Sequence, residues 1–212
     1  MPSDETGYPP APVPAQLSKG RLRSTIEHCR ACDLWEAATQ PVLGDGPIRA
    51  RVVMVGEQPG DREDLEGRPF VGPAGGVLDR ALERAGIERS DVYLTNAVKH
   101  FRFRRRGKRR IHQTPDRWQV SACMPWLDAE LGLVRPEALV CLGAVAAQGL
   151  LGSQVRIGRD RGHPFDSDLA ELVTITAHPS SILRVRGQTE REQAMNALVG
   201  DLTSVAAWLR DR

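Results

Sequence analysis

Arg51-Val52-Val53-Met54-Val55-Gly56-Glu57-Gln58-Pro59-Gly60-Asp61 is the stretch from which the fold can be read. A continuous apolar run ended by glycine belongs to a strand covered on both faces, because a strand with one wet face alternates apolar and polar residues. Where the run stops, carboxylates, an amide and a second glycine follow at once. The same succession recurs three times, at Val92-Tyr93-Leu94-Thr95-Asn96, Ala138-Leu139-Val140-Cys141-Leu142 and Leu172-Val173-Thr174-Ile175-Thr176. Helical periodicity fills the intervals, over Gly75 to Ala85, from Thr114-Pro115 toward Leu131, over Ala144 to Leu151 and over Glu190 to Leu209. Thr114 and Pro115 suit the N-cap and first turn of the second of these. Strand alternating with helix predicts an α/β chain, a three-layer α/β/α arrangement around a central, mainly parallel four-stranded sheet.

Ligands of such sheets sit beyond the carboxyl ends of the strands. The unusual residues of this chain gather there: Gly56 to Asp61 after the first strand, Asn96 after the second, Cys141-Leu142-Gly143 at the end of the third and His178-Pro179-Ser180-Ser181 after the fourth. The opposite edge is ordinary, and the asymmetry marks a site.

Beyond Asn96 the chain turns basic. Between Lys99 and Arg110, eight of twelve residues are Lys or Arg, with Phe101 and Phe103 among them, and Lys108-Arg109-Arg110-Ile111-His112 puts a histidine at the tip of this loop. A charge run is often no more than a solvated loop. Here it can also hold a phosphate backbone while offering an imidazole to what the backbone carries. The formal net charge is only +2, so a nucleic-acid surface would be a local patch with salt-sensitive affinity.

The 212 residues, 41% of them hydrophobic, suit one globular domain over 17–212. Residues 1–16, with Pro9, Pro10, Pro12 and Pro14, read as a disordered Pro-rich tail. Leu17 to about His28 has polar helix formers, and a short helical stretch follows Cys32. No apolar run is long enough to span a bilayer and no secretion signal opens the chain, which sets the expectation of a soluble, monomeric, cytoplasmic protein without membrane contact.

In that compartment four cysteines are not expected to form two disulfides. Cys29 and Cys32 form a C-x-x-C pair, while Cys123 and Cys141 lie far downstream. A redox dithiol follows a strand, and the segment before Cys29 reads as helical. Structural zinc, an iron–sulfur cluster and four unlinked buried thiols remain open on count and spacing alone.

Gly56-Glu57-Gln58-Pro59-Gly60, Arg68-Pro69-Phe70-Val71-Gly72-Pro73-Ala74-Gly75, Thr95-Asn96-Ala97-Val98-Lys99 and His178-Pro179-Ser180-Ser181 stand in this order. With them the chain, from about Leu17 to Leu209, resembles the uracil-DNA glycosylase superfamily, and within it the iron–sulfur family 4 enzymes. Two departures from family 4, the longer connection from Arg104 to His112 and Gln58 in place of a small residue, are similar to the UdgX subgroup. Its members become joined to uracil-containing DNA through the histidine of a KRRIH sequence.

The resemblance implies a [4Fe-4S] cluster, with structural zinc as the alternative, on Cys29, Cys32, Cys123 and Cys141. It implies uracil-containing DNA as partner, base-excision repair as the role and extrusion of the target nucleotide. Phe70 would stack on the base, Asn96 would read a uracil carbonyl and ring N–H, the backbone from Gly56 through Gln58 to Gly60 would hold a carbonyl, and His178 would donate to the oxygen that gains charge. His112 would be the nucleophile at the sugar C1′, with Glu57 taking the proton of its other ring nitrogen. Arg110 would place the loop or a phosphate, Asp61 a water or polar group, and Ser180, Ser181 and Arg184 the DNA backbone.

Two rivals stand beside this reading. One is a turnover glycosylase in which Glu57 or Asp61 activates water, and the other a non-catalytic DNA-binding module. A nucleotide-phosphate enzyme is opposed by the lack of glycine-rich phosphate motifs after any strand.

Overall fold

The computed structural model describes residues 7–212. In chain order the elements are α1 (Lys19–Ile26), a 3-10 turn (Asp33–Glu36), β1 (Val52–Gly56), α2 (Asp61–Glu66), α3 (Pro73–Ala85), a 3-10 turn (Arg89–Asp91), β2 (Val92–Asn96), β3 (Phe103–Arg106), β4 (Arg109–His112), α4 (Arg117–Val134), β5 (Ala138–Leu142), α5 (Ala144–Leu151), α6 (Ile157–Asp160), β6 (Pro164–Phe165), β7 (Leu172–Thr176), α7 (Pro179–Leu183) and α8 (Gln188–Arg210). The four parallel strands lie in the order β2-β1-β5-β7, and β6 adds an antiparallel edge beside β7. The α/β architecture is as read from the sequence, with five strands in place of four. The fifth escaped notice because it is two residues long and begins with proline, which an edge strand tolerates and a sequence pattern does not signal.

Period-2 alternation divides the core into two layers. Val53, Val55, Tyr93, Leu139, Cys141, Val173 and Ile175 face the layer shared with α1, α4 and α5. Val52, Met54, Val92, Leu94, Ala138, Val140 and Leu142 face α3 and α8. Every residue of β1, β2 and β5 is buried, which is why these strands read as unbroken apolar runs.

Caps set the helix limits. Gly72 precedes Pro73 at the start of α3, and Gly86 at φ 72° closes it in the left-handed conformation that lacks a Cβ penalty. α4 begins later than expected: Asp116 is its N-cap, and Gln119 Oε1 accepts from the Asp116 N–H at 2.8 Å, so Thr114-Pro115 remains outside the helix.

Two further expectations are corrected. The segment expected to be a basic loop is an antiparallel hairpin, β3 paired with β4, turning at Gly107 with φ 59°. Its outward residues are charged, so no alternation of apolar residues announced it. Residues 7–16 form no helix or strand, yet they pack: Tyr8 stacks on Trp118 with centroids 5.6 Å apart, and Ala11 and Val13 lie against the core. The first six residues of the expected tail lie outside the described residues. Among the described residues, no helix is long and apolar enough to cross a membrane.

Candidate active site

The carboxyl edge of the sheet opens into a cavity of about 780 Å³, with Glu57, Gln58, Phe70, Asn96, His112 and His178 in its wall. At its floor, expected residues converge on Gly56. A Cβ placed on Gly56 would collide with Asn96 Oδ1 and stand 2.7 Å from Phe70 Cζ and 3.4 Å from His178 Nε2. Register explains the convergence, since Gly56 pairs with Asn96 across β1 and β2, and past the strand ends the Gly56 and Glu57 carbonyls accept from the Ala97 and Val98 N–H groups. The lack of a side chain at residue 56 is what lets Asn96, Phe70 and His178 approach one another here.

Phe70 is 8% exposed and holds φ at 55°, a conformation unfavourable for a bulky side chain. Gly75 makes this possible, because a Cβ there would meet the Phe70 carbonyl oxygen. The Phe70 ring lies 6.2 Å from the His178 ring at 26°, so one aromatic face of the slot belongs to Phe70 and one polar end to His178.

His178 Nδ1 accepts from the Ser180 N–H at 3.1 Å and lies 2.8 Å from Ser180 Oγ. That leaves the proton on Nε2, which faces the cavity. Burial first, then His112 and Arg184, push the His178 pKa down to about 4, so at neutral pH it is an uncharged N–H donor. Ser180, expected to hold DNA, instead has its hydroxyl between His178 and the Arg184 guanidinium, which donates to it at 3.2 Å. The Ser181 hydroxyl is likewise turned inward, donating to the His178 carbonyl at 2.8 Å.

Across the mouth, β4 delivers His112. Its Nε2 is 3.6 Å from Glu57 Oε1, outside hydrogen-bond range but within easy reach of a small closure. Glu57 Oε1 is buried and has no hydrogen-bond partner. Burial dominates the carboxyl and raises its pKa to about 7 against the opposing pull of Arg184 and Thr114. Burial and then Arg184 lower the His112 pKa, keeping its ring neutral. One carboxyl oxygen of Glu57 is thus left without a hydrogen-bond partner beside the His112 ring.

Three residues expected at the site hold the hairpin, and for Arg110 this is the loop-placing alternative of its expected role. Gln58 spends its whole amide on the hairpin base, accepting from the Arg102 N–H at 2.9 Å and donating to the Arg102 and Gln113 carbonyls at 3.2 and 2.9 Å. Arg110 turns back toward the domain, with Nε 2.5 Å from Asp61 Oδ1 and a second nitrogen 2.5 Å from Asp64 Oδ2. Its guanidinium also lies over the Phe101 and Phe103 rings, at 5.5 and 5.1 Å. Asp61 is therefore paired with Arg110. Asp64, fully buried beneath this pair and also bonded to the Thr39 N–H, was missed in the sequence, because a carboxylate in a helix of acidic residues gives no signal of burial. Arg104, Arg105, Arg106, Lys108 and Arg109 remain exposed on the outer hairpin.

The four cysteines are buried in one core layer. Cys29, Cys32 and Cys123 are near enough that charge on one disfavours charge on another, and Cys141 enters the same layer from β5. Burial pushes the Cys32 thiol up to about 11 and those of Cys123 and Cys141 up to about 12, so each stays protonated unless a cation compensates. Two N–H groups already address the sulfurs: Trp126 Nε1 donates to Cys29 Sγ and the Lys99 N–H to Cys123 Sγ, both at 3.2 Å. Such bonds suit thiolates. Among the described residues, no three His, Cys, Asp or Glu converge as ligands of a single ion. A multi-iron cluster, whose own atoms fill the space between four thiolates, asks less of their spacing than one zinc ion does.

A mainly parallel sheet thus carries at its carboxyl edge a cavity walled by Phe70, Asn96 and His178, with a basic hairpin at its rim. The profile of the uracil DNA glycosylase superfamily matches residues 43–203, and the chain belongs to that superfamily. It is 35% identical over 185 residues to the type-4 uracil-DNA glycosylase of Pyrobaculum aerophilum, covering 82% of this chain and 91% of that protein. It is 38% identical over 167 residues to the type-4 uracil-DNA glycosylase of Thermotoga maritima, covering 78% and 83% of the two chains. A third type-4 enzyme, from Sulfurisphaera tokodaii, is 36% identical over 171 residues, covering 77% and 74%.

Proposed function

We propose that the protein excises uracil from DNA and becomes covalently joined through His112 to C1′ of the sugar left behind. The observation that carries this reading is the placement of His112 at the cavity mouth beside the unpartnered Glu57 Oε1, opposite the slot formed by Gly56, Phe70, Asn96 and His178. Uracil lies against Phe70, with Asn96 supplying a paired acceptor and donor that cytosine cannot match. As the N-glycosidic bond breaks, its electrons leave with uracil, and the neutral His178 Nε2–H meets the oxygen that gains charge. A ring nitrogen of His112 forms the bond to C1′, and Glu57 takes the proton from the other nitrogen. The product is a neutral N-substituted imidazole, a far worse leaving group than an imidazolium, so the adduct persists. The role is DNA repair.

Cys29, Cys32, Cys123 and Cys141 would hold a [4Fe-4S] cluster, which would supply the positive charge that four buried thiolates need in the core.

Uracil-containing oligonucleotide, incubated with the protein and heated in denaturing detergent, tests the reading. A shifted protein–DNA band that disappears in His112→Ala supports it. Free abasic product without a band identifies a turnover enzyme with water as nucleophile. Neither product identifies a DNA-binding module.

A further inference from the structure

Behind Asn96 lies a buried polar network that the chemistry above does not use. Lys99 is fully buried, and its ammonium has three partners: Thr95 Oγ1 at 2.9 Å, the Asn96 carbonyl at 2.6 Å and Glu130 Oε2 at 2.5 Å. Glu130, 1% exposed, is equally saturated. Its Oε1 accepts from the Gly44 N–H at 2.5 Å and the Tyr93 hydroxyl at 3.0 Å, and its Oε2 also accepts from the Thr95 hydroxyl at 2.7 Å.

A buried ion pair is weak evidence for stability, because taking two charges out of water offsets their attraction. Its position says more. β2 is an edge strand, bonded on one side to β1. On its open side the Asp45 backbone covers Leu94, and two residues later the Asn96 carbonyl has no strand to accept from. The Lys99 ammonium takes the place of that missing strand. Asn96 therefore has its backbone fixed from behind by Lys99 and from the side by β1, while its side-chain amide faces Gly56 and the slot.

We infer that the buried Lys99–Glu130 pair is a positioning device for uracil recognition, holding the Asn96 backbone so that its amide meets the base in register. The inference rests on the uracil-excising reading. A displacement of the order of 1 Å at a recognition group costs roughly 100-fold in rate, so a strand end held by one charged group has kinetic consequences without any contact between that group and DNA.

Lys99→Met alone strands a buried carboxylate and endangers folding. The informative variant is Lys99→Met with Glu130→Gln. The glutamine carbonyl still accepts from Gly44 and Tyr93 and its NH2 donates to Thr95, leaving the Asn96 carbonyl as the group without its donor. Thr95→Val, which removes one hydroxyl that orients the ammonium, is a gentler second variant. Native protein, both variants, Asn96→Ala and its combination with each are compared in single-turnover release of uracil from single-stranded oligonucleotide, with melting temperature and the half-saturating DNA concentration.

The expected result is a loss at saturating DNA of about 10- to 100-fold for the double variant and about 3- to 10-fold for Thr95→Val, with half-saturation within about twofold of native. In the Asn96→Ala background the same substitutions have no further effect, because the residue through which they act has gone. Native-like release in either folded variant, or losses that multiply unchanged onto Asn96→Ala, overturns the inference. Absence of uracil release from the native protein overturns the functional reading instead.

Discussion

Gly56 carries more of the proposed site than any side chain, because a methyl group there would press on Asn96, Phe70 and His178 at once. Gly56→Ala drives carbon into Asn96 Oδ1 and to 2.7 Å from Phe70 Cζ. Uracil release is expected to fall by about 100-fold or more, while salt-dependent binding to the exposed hairpin persists; single-turnover kinetics beside filter binding separates the two. Under the proposed mechanism Glu57 sets the pH profile. Its carboxyl titrates at about 7, whereas His112 is held below its ordinary value, so on acidification Glu57 gains its proton while the imidazole is still neutral. Covalent joining is therefore expected to slow about tenfold per pH unit below 7 and to level off above it. Glu57→Gln flattens this profile and lowers its plateau; an unchanged profile in that variant removes Glu57 from the proton transfer.

At the scale of elements, the hairpin of β3 and β4 is held by its anchors more than by its two-strand ladder, since an isolated hairpin is marginally stable in water. Gln58 ties its base and Arg110 ties its second strand to Asp61 and Asp64. Gln58→Ala is expected to slow covalent joining by about 10-fold or more with DNA affinity nearly unchanged, since His112 then wanders while the cations stay free. Arg110→Ala leaves Asp64 buried without its cation and is expected to destabilise by about 3 kcal/mol, whereas Asp61→Ala, at a half-exposed partner, costs under about 1 kcal/mol; urea titration measures both. Four strands were legible because each is a buried apolar run. The hairpin was not, because its solvent face is arginine and lysine, and the reversal at Gly107 lies inside a charge run. The edge strand β6 is too short to leave any periodic trace.

For the whole molecule, two balances follow from where charge is buried. His100 is 4% exposed, and burial holds its pKa down to about 4 against the opposing influence of Asp64. Above pH 6.5 the ring is neutral in both folded and unfolded chains and contributes nothing. Between 6.5 and 4 the unfolded chain takes up a proton that the folded one refuses, so stability declines with acid by up to about 3 kcal/mol. Denaturant midpoints at pH 7 and pH 4.5 are expected to converge in His100→Leu relative to the native protein. Charge on the outside acts through salt. Removing Arg105 and Lys108, both exposed on the hairpin, is expected to reduce the slope of log affinity against log salt by about 0.7 for each single-strand phosphate they no longer neutralise.

Local pattern was enough for the layered α/β architecture, for the edge at which chemistry gathers and for Gly56, Glu57, Asn96 and His178 as residues of that edge, while His112 stood out in the basic run and Phe70 came from the family resemblance. A buried strand announces its own end and the residues next to it. Only the folded chain revealed that Gln58 and Asp61 hold the hairpin, that Asp61 and Asp64 are the partners through which Arg110 places it, and that Ser180 orients His178. It also placed Asp64, Lys99 and Glu130 in buried polar positions. Burial of a charged or amide side chain depends on a partner brought from elsewhere in the chain, such as Glu130 to Lys99 across 31 positions, and no local pattern encodes that meeting.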